Sequence, residues 1–88
     1  MRKYMSQLIT EFLNGDEYGL AATARFVGNK FYSYNTVICV RVGDVYYLTL
    51  DKYSKTTTTQ QKALRESLPS SKLVIVSADS LQEIARTV

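Results

Sequence analysis

The chain has 88 residues, of which 45% are hydrophobic and 22% are charged, with a net charge of +3 and one cysteine. This length supports one domain over residues 1–88 and excludes two separate cores, and the composition excludes a disordered chain. Because histidine is absent and Cys39 stands alone, the sequence has no metal-ligand spacing and no internal disulfide, and we expect no metal, no cofactor and a reducing cytoplasm. No apolar run is long enough to span a membrane, so no membrane partner is expected.

Basic residues concentrate in the middle of the chain. Residues 20–65 carry seven basic and two acidic side chains, a net charge of +5, whereas each flanking segment carries −1. An ordinary solvated surface would explain this distribution. A basic centre also favours an anionic partner, such as a nucleic acid, a nucleotide or an acidic protein.

The first predicted element is an amphipathic helix. Six apolar residues recur at helical spacing, and Asn14-Gly15 is typical of a helix end. The six residues are Tyr4, Met5, Leu8, Ile9, Phe12 and Leu13. Because the polar side of this helix is not rich in lysine or arginine, we expect it to dock on a sheet rather than on a membrane.

Two strands are predicted at residues 20–27 and 30–34, joined by a tight turn at Gly28-Asn29. In this register Arg25 faces Tyr32, either as a cation–π pair or as a stacking platform for a ligand. The core side is predicted to contain Ala22, Ala24, Phe26 and Phe31. The opposite, polar and aromatic side is predicted to contain Thr23, Arg25, Tyr32 and Tyr34.

A second pair of strands is predicted at residues 36–42 and 45–50, around Gly43-Asp44. A two-residue turn would make both faces mostly apolar, whereas an odd-length turn would collect the apolar residues on one side, and the sequence leaves this register open. An apolar second face is either covered within the chain or used as an interface, for which a homodimer is one solution. The candidate interface residues are Arg41, Val45 and Tyr47.

A polar corner at residues 52–55 is followed by a helix that begins within the threonine run 56–59. Two overlapping capping boxes, Thr57 with Gln60 and Thr58 with Gln61, have the spacing that satisfies backbone donors at a helix start. The free N–H groups of that helix start, with nearby lysines, also suit a bound anion. Capping alone and an additional ligand role both remain open.

The last two elements are a strand and a helix. Residues 73–76 form an apolar run that predicts a strand buried on both faces, and Ser80 with Glu83 predicts a capped helix that ends the chain. The predicted fold class is α+β, in the order α-β-β-β-β-α-β-α. Its sheet has about five strands, antiparallel or mixed, with the helices packed on it.

Catalytic groups do not assemble from the sequence. There is no histidine, the one cysteine lies in a predicted strand, and the four glycines stand singly instead of forming a phosphate loop. We therefore predict that the protein is not an enzyme. Tyrosines interleaved with basic residues would suit single-stranded nucleic acid, although no ribonucleoprotein strand signature is present.

Two segments resemble a group of small bacteriophage proteins of uncharacterised function. Ser33-Tyr34-Asn35-Thr36 matches the first motif of that group, and residues 52–61 match its second, Lys-Tyr-Ser-x-Thr-Thr-Ser-Lys-His-Gln. The second motif departs where Thr58, Thr59 and Gln60 replace Ser, Lys and His, which removes any imidazole chemistry. The resemblance implies a phage origin more strongly than any activity.

The sequence thus predicts a phage-type binding protein in the host bacterial cytoplasm. The first hypothesis is a stoichiometric inhibitor of a host protein or protein–nucleic-acid complex, such as an anti-CRISPR-like counter-defence protein. The alternatives are direct binding of nucleic acid or a nucleotide, and a homo-oligomeric interaction module. The candidate binding residues are Arg25, Tyr32, Tyr34, Asn35, Thr36, Lys52, Tyr53, Lys55, Thr57, Thr58 and Gln61.

Overall fold

The computed structural model describes residues 4–88, so the first three residues of the predicted domain lie outside the description. It contains three α-helices and one six-stranded mixed sheet, which confirms the α+β class with one strand more than expected. The elements are α1 (Met5–Leu13), β1 (Tyr18–Leu20), β2 (Ala24–Val27), β3 (Lys30–Ser33), β4 (Thr36–Val42), β5 (Val45–Thr49), α2 (Lys55–Ser67), β6 (Leu73–Val76) and α3 (Ala78–Thr87). A short 3₁₀ turn at Ser70–Lys72 precedes β6.

The strands lie in chain order across the sheet. β1 to β5 form an antiparallel meander, and β6 pairs in parallel with β5 after the α2 crossover, so β1 and β6 are the two edges. A parallel neighbour needs such a crossover because a tight turn cannot return the chain in the same direction.

The prediction of one strand at residues 20–27 is wrong. Two strands, β1 and β2, lie in and before this segment, which accounts for the additional strand. The chain reverses at Ala21–Thr23, where the Ala21 N–H donates to the Ala24 carbonyl at 2.8 Å. β1 therefore pairs with β2, with Tyr18 opposite Val27 and Leu20 opposite Arg25. Ala22, which was predicted on the core side, lies exposed in this turn.

Both predicted tight turns have two residues. Val27 pairs with Lys30 around Gly28, and Val42 pairs with Val45 around Gly43, which resolves the register that the sequence left open. Gly28 and Gly43 have φ values of 59° and 60°, a backbone region that glycine adopts without the penalty of a Cβ.

The larger core lies between the sheet and α1 and α2. The Phe12 ring of α1 packs edge-on against Phe26 at 5.5 Å, Phe31 at 5.4 Å and Tyr46 at 6.1 Å between ring centroids. Edge-to-face contacts match the positive edge of one ring to the negative face of another. Each contact stabilises the fold by about 0.5 to 1.5 kcal/mol beyond the burial of its apolar area. We call the side of the sheet covered by α1 and α2 the first face.

A bulge in β4 lets this strand serve two cores. Phe31 pairs with Cys39 but Tyr32 pairs with Val37, so Ile38 is the extra residue. Ile38 and Cys39 both join the first-face core, whereas Val37 packs in the second core. The alternation of side chains that a regular strand would show is therefore interrupted at residues 37 and 38, because a bulge reverses the side-chain parity.

The second core lies under α3. Leu81 of α3 packs with Val37 and Val40, and Tyr47, Val76 and other partly buried residues surround them. The apolar second face of β4 and β5 is thus covered within the chain, which is one of the two solutions that the sequence allowed. We call this side of the sheet the second face.

β6 differs from its prediction. It was expected to be buried on both faces, but Val74 is 40% exposed and Ile75 is 47% exposed. The physical reason is its place at the sheet edge, where neighbours lie on one side only.

The helix starts also differ from the sequence expectation. The N-cap of α2 is Ser54, whose hydroxyl accepts from the Thr57 N–H at 3.2 Å, so neither predicted capping box forms the cap. The N-cap of α3 is Ser77 instead of Ser80, which donates its own N–H to the Ser77 hydroxyl. In both helices the cap precedes the apolar stripe by one more turn than predicted. Pro69 follows the end of α2, as expected.

We predict that Gly19→Ala destabilises the protein by about 1 to 3 kcal/mol, through overpacking of the core. A Cβ at Gly19 would meet Leu8 at 2.8 Å and an even closer atom of Phe26. Urea unfolding monitored by circular dichroism measures the change. Leu20→Ala, at an exposed site in the same strand, is the control and should change stability by less than about 0.5 kcal/mol. Equal urea midpoints for the two variants would contradict the packing at Gly19.

Candidate functional site

The structure separates the predicted binding residues into two groups at the same end of the sheet. Arg25, Tyr32, Tyr34 and Asn35 lie together around the turn between β3 and β4. Thr36 starts β4 beside them and pairs with Ser33. The second group is residues 52–59 before and within the first turn of α2, which we call the α2 corner.

Arg25 holds the first group together. Its guanidinium lies over the Tyr32 ring at 4.6 Å from the centroid, donates to the Tyr34 carbonyl at 2.7 Å and approaches the Asn35 side-chain oxygen at 3.4 Å. Tyr34 has a φ of 54°, a left-handed conformation that costs energy in a residue with a bulky side chain. Arg25 therefore stabilises a strained turn in addition to lying on the second face.

α3 packs mainly on the second face of β4 and β5 and reaches β3 only at its border, where Tyr32 packs against the second core and Lys30 donates to the Val88 carbonyl at 3.3 Å. The second face of β1 and β2 is not covered by α3. In β1–β3, Phe26 and Phe31 point towards the first face. Successive residues of a strand point to opposite faces, so the residues that alternate with them point outward on the second face. We call these outward residues the open face; they are Tyr18, Leu20, Arg25, Val27, Lys30 and Tyr32. Tyr18 is 56% exposed, Leu20 54% and Val27 49%.

The open face was only partly predicted. Arg25 and Tyr32 were identified from the sequence, but Tyr18, Val27 and Lys30 were not assigned to a site. The signal for β1 was the alternation of Tyr18 and Leu20 around Gly19, which was missed because the strand was expected to begin at Leu20 and run on.

A groove of about 260 Å³ borders the open face where it meets α3. Lys30 and Tyr32 line it from β3, and Gln82 and Arg86 line it from α3. Arg86 forms an exposed ion pair with Glu83 at 3.3 Å, so its charge is partly compensated. This groove extends the open face towards the helix without a carboxylate among its lining residues.

The α2 corner forms a wider cleft of about 570 Å³. It is lined by Lys52, Tyr53, Ser54, Lys55, Thr58 and Thr59. Burial raises the pKa of the Tyr53 phenol, and the nearby carboxylates of Asp51 and Asp79 raise it further. These carboxylates offset the two lysines, so the corner is a poorer anion site than the sequence suggested.

Two predicted binding residues of α2, one in the α2 corner and one in the next turn of the helix, instead attach α2 to the sheet. Thr57 is buried, and its hydroxyl lies 2.7 Å from the hydroxyl of buried Ser33. Gln61 is also buried and donates to the carbonyls of Thr49 at 3.0 Å and Asp51 at 2.9 Å. Ser33 and Thr57 belong to the two motifs of the phage resemblance, so the structure brings those motifs into contact.

The predicted interface residues are largely engaged within the chain. Arg41 lies 5.6 Å from the Phe12 ring centroid and donates to the Phe12 carbonyl at 3.1 Å, at the end of α1. Tyr47 packs in the core under α3. Val45 is half-buried next to the β4–β5 turn.

The described residues provide no metal or thiol site. Within residues 4–88, no group of His, Cys, Asp or Glu side chains could hold a metal ion. Cys39 is fully buried, and burial raises the pKa of its thiol to about 12 despite the opposing charge of Arg41. None of the helices in this part of the chain is long and apolar enough to cross a membrane.

A family model matches residues 4–78, which include α1, α2 and the whole sheet. Its description is a family of unknown function, DUF8033. The chain belongs to this family. Comparisons with curated proteins and with solved structures found no match. Membership in DUF8033 therefore assigns no activity, and a functional proposal depends on the surface described above.

We predict that Thr57→Val destabilises the protein by about 1 to 3 kcal/mol, because it leaves the buried Ser33 hydroxyl without its partner. Replacing both residues, with Ser33→Ala and Thr57→Val, should cost less than the sum of the single changes, by about 0.5 to 3 kcal/mol. Urea unfolding of the four-member cycle measures this coupling. Thr58→Val, at an exposed neighbouring position, is the control. Additive single changes would show that the two hydroxyls do not interact.

We also predict that the Cys39 thiol is protected in the folded protein and reacts with Ellman's reagent only after unfolding. Folding raises the pKa of the thiol from 9.0 to about 12, so the folded state favours the protonated thiol. The stability that this preference contributes is fully present below about pH 9, and the free energy of unfolding should fall as pH rises from about 9 to about 12. Urea unfolding at several pH values measures the slope. Cys39→Ala should unfold with a smaller slope over this range; an equal slope, or rapid labelling of the native thiol, would contradict its burial.

Proposed function

We propose that the protein is a non-catalytic, phage-type binding protein that docks on a host protein or protein–nucleic-acid complex through its open face. It would act stoichiometrically in the host cytoplasm, as an inhibitor of a defence system or of another host complex. The observation that carries this proposal is the uncovered half of the second sheet face, with exposed apolar and basic side chains together.

The composition of the open face supports a protein partner. Tyr18, Leu20 and Val27 are each about half exposed and lie on adjacent strands, with Val27 directly opposite Tyr18. Tyrosine and arginine are enriched among the residues that carry most of the binding energy at protein interfaces, so Tyr18 is the candidate anchor, and Leu20 and Val27 supply apolar contact area around it. The surrounding polar groups are those expected at the rim of such a patch.

The charge of the open face supports an acidic partner. Its six outward side chains include Arg25 and Lys30 but no carboxylate. Complementary charges accelerate encounter and suppress incorrect partners more than they increase affinity. The open face is therefore suited to an acidic protein surface.

The phage resemblance supports the host context. It covers residues 33–36 and 52–61, and the sequence contains no histidine and one cysteine, which offers few catalytic groups. A small protein without such groups can still block a larger complex by occupying its surface.

Single-stranded nucleic acid is the second candidate. Arg25 over Tyr32, with Tyr18 and Lys30 nearby, offers a ring for base stacking and charges for the phosphate backbone. This mode predicts affinity that falls steeply with salt. If the unmodified protein captures no host protein but binds an oligonucleotide with an affinity that falls with salt, this candidate is favoured over the first.

We predict that Tyr18→Ser combined with Lys30→Glu weakens capture of a host protein from bacterial lysate by about tenfold or more, because loss of one anchor residue costs about 2 kcal/mol. An affinity pull-down with the tagged protein, followed by quantitative mass spectrometry of the captured partner, measures this change. Both residues project outward from the sheet, so the variant should fold, which circular dichroism checks.

The matched control is Tyr53→Ser combined with Lys52→Glu, which makes the same chemical changes at the α2 corner. It should capture the partner as the unmodified protein does. Equal loss for both variants would reject the open face as the specific docking site. Absence of any stoichiometric host partner for the unmodified protein would reject the inhibitor proposal.

A further inference from the structure

The outer edge of β6 is an unpaired strand with apolar side chains on both faces. Across residues 4–88, no strand pairs with this edge, because β6 is the last strand of the sheet. Val74 is 40% exposed and Ile75 is 47% exposed. Val74 aligns with Tyr47 and therefore points to the second face, whereas Ile75 aligns with Leu48 and points to the first face.

Edge strands of this kind are normally protected. Proteins protect them with charged residues, proline, bulges or very short length, because free N–H and C=O groups otherwise pair with another chain. The opposite edge, β1, has only three residues and contains Gly19. β6 has the sequence Leu-Val-Ile-Val, with no charge, proline or glycine. β6 is short, but neither charge nor proline protects it, so its free N–H and C=O groups are open to pairing with a second strand.

We propose that two copies of the chain pair their β6 edges in antiparallel orientation, which gives a symmetric dimer with one continuous sheet. A two-fold axis normal to the sheet is the symmetry that brings two identical edges together in this way, and it keeps the two first faces on the same side. Residues directly opposite each other then point to the same face, so the axis passes through one self-paired residue.

Charge complementarity favours a second copy as the occupant and selects Ile75 as the self-paired residue. Lys72 precedes β6, whereas Asp79 follows it in the first turn of α3 and Asp51 accepts from the Ala78 N–H at 2.8 Å. With Ile75 opposite itself, Val74 of each copy pairs with Val76 of the other, and Lys72, just before β6, comes near the Ala78 end of the other copy's strand. The basic start of one strand is then next to the acidic end of the other, twice per dimer.

Dimerisation has a consequence for the proposed function but does not depend on it. Because the axis is normal to the sheet, the two open faces lie on the same side of the dimer, each at an outer end. Two linked binding surfaces raise the effective concentration at a partner with repeated sites. Variants of β6 should change the oligomeric state, while variants of the open face should change partner capture, so the two proposals fail independently.

The first test is oxidative cross-linking of single cysteine variants. Opposite residues in an antiparallel pair have Cα atoms about 4.5 to 5.5 Å apart, within the disulfide range. Ile75→Cys should form a covalent dimer about tenfold or more faster than Leu20→Cys, which reports random collision at the other edge. Native Cys39 is buried and contributes no background.

Val74→Cys is the register control. In the proposed pairing the two Val74 residues are diagonal neighbours about 7 to 8 Å apart, beyond the reach of a disulfide. It should cross-link no faster than Leu20→Cys. Preferential cross-linking at Val74 would overturn Ile75 as the axis, and no preference at either residue would overturn the edge dimer.

The second test is light scattering over a concentration series. The unmodified protein should approach twice the monomer mass. Ile75→Lys should remain a monomer, because the pairing would place the two introduced ammonium groups directly opposite each other. Leu20→Lys is the matched control and should dimerise normally. A monomer mass for the unmodified protein at every concentration, or a dimer that Ile75→Lys leaves intact, would overturn the proposal.

Discussion

The coverage of the sheet is the constraint on which the rest of the structure depends. A helix with its side chains is about 10 to 12 Å wide, and strands are about 4.8 Å apart, so one helix covers two or three strands. Within residues 4–88, the first face has two helices, whereas the second has only α3, a helix of ten residues over β4 and β5. The open face of β1 to β3 is thus a geometric result of having three helices for two faces.

The sequence predicted the elements that depend on local chemistry. Glycines at 28 and 43 indicated two-residue turns, and the apolar stripe ending before Asn14 indicated α1, because each signal lies within a few residues. The β1–β2 reversal was missed because Ala21 to Thr23 contain no glycine, proline or asparagine. The bulge at Ile38 was missed because it depends on pairing between distant strands, which no local pattern records.

The candidate site was predicted in a similar, partial way. Arg25 and Tyr32 could be paired from the predicted register of the hairpin, and the structure places the guanidinium carbon 4.6 Å from the centroid of the tyrosine ring. Thr57 and Gln61 were assigned to caps or ligands because polar residues at a helix start usually face solvent. Both are buried here, since polar loops and strand ends need hydrogen-bond partners where α2 covers the end of the sheet.

The two motifs that resemble phage proteins therefore contribute to the fold more directly than to the proposed docking surface. Ser33 comes from the first motif, and Thr57 and Gln61 come from the second; all three make buried hydrogen bonds that attach α2 to the sheet. Residues with such roles can be shared by proteins with different partners. Tyr18, Leu20 and Lys30 of the proposed docking surface lie outside both motifs and take no part in attaching α2, so substitutions there leave this attachment intact.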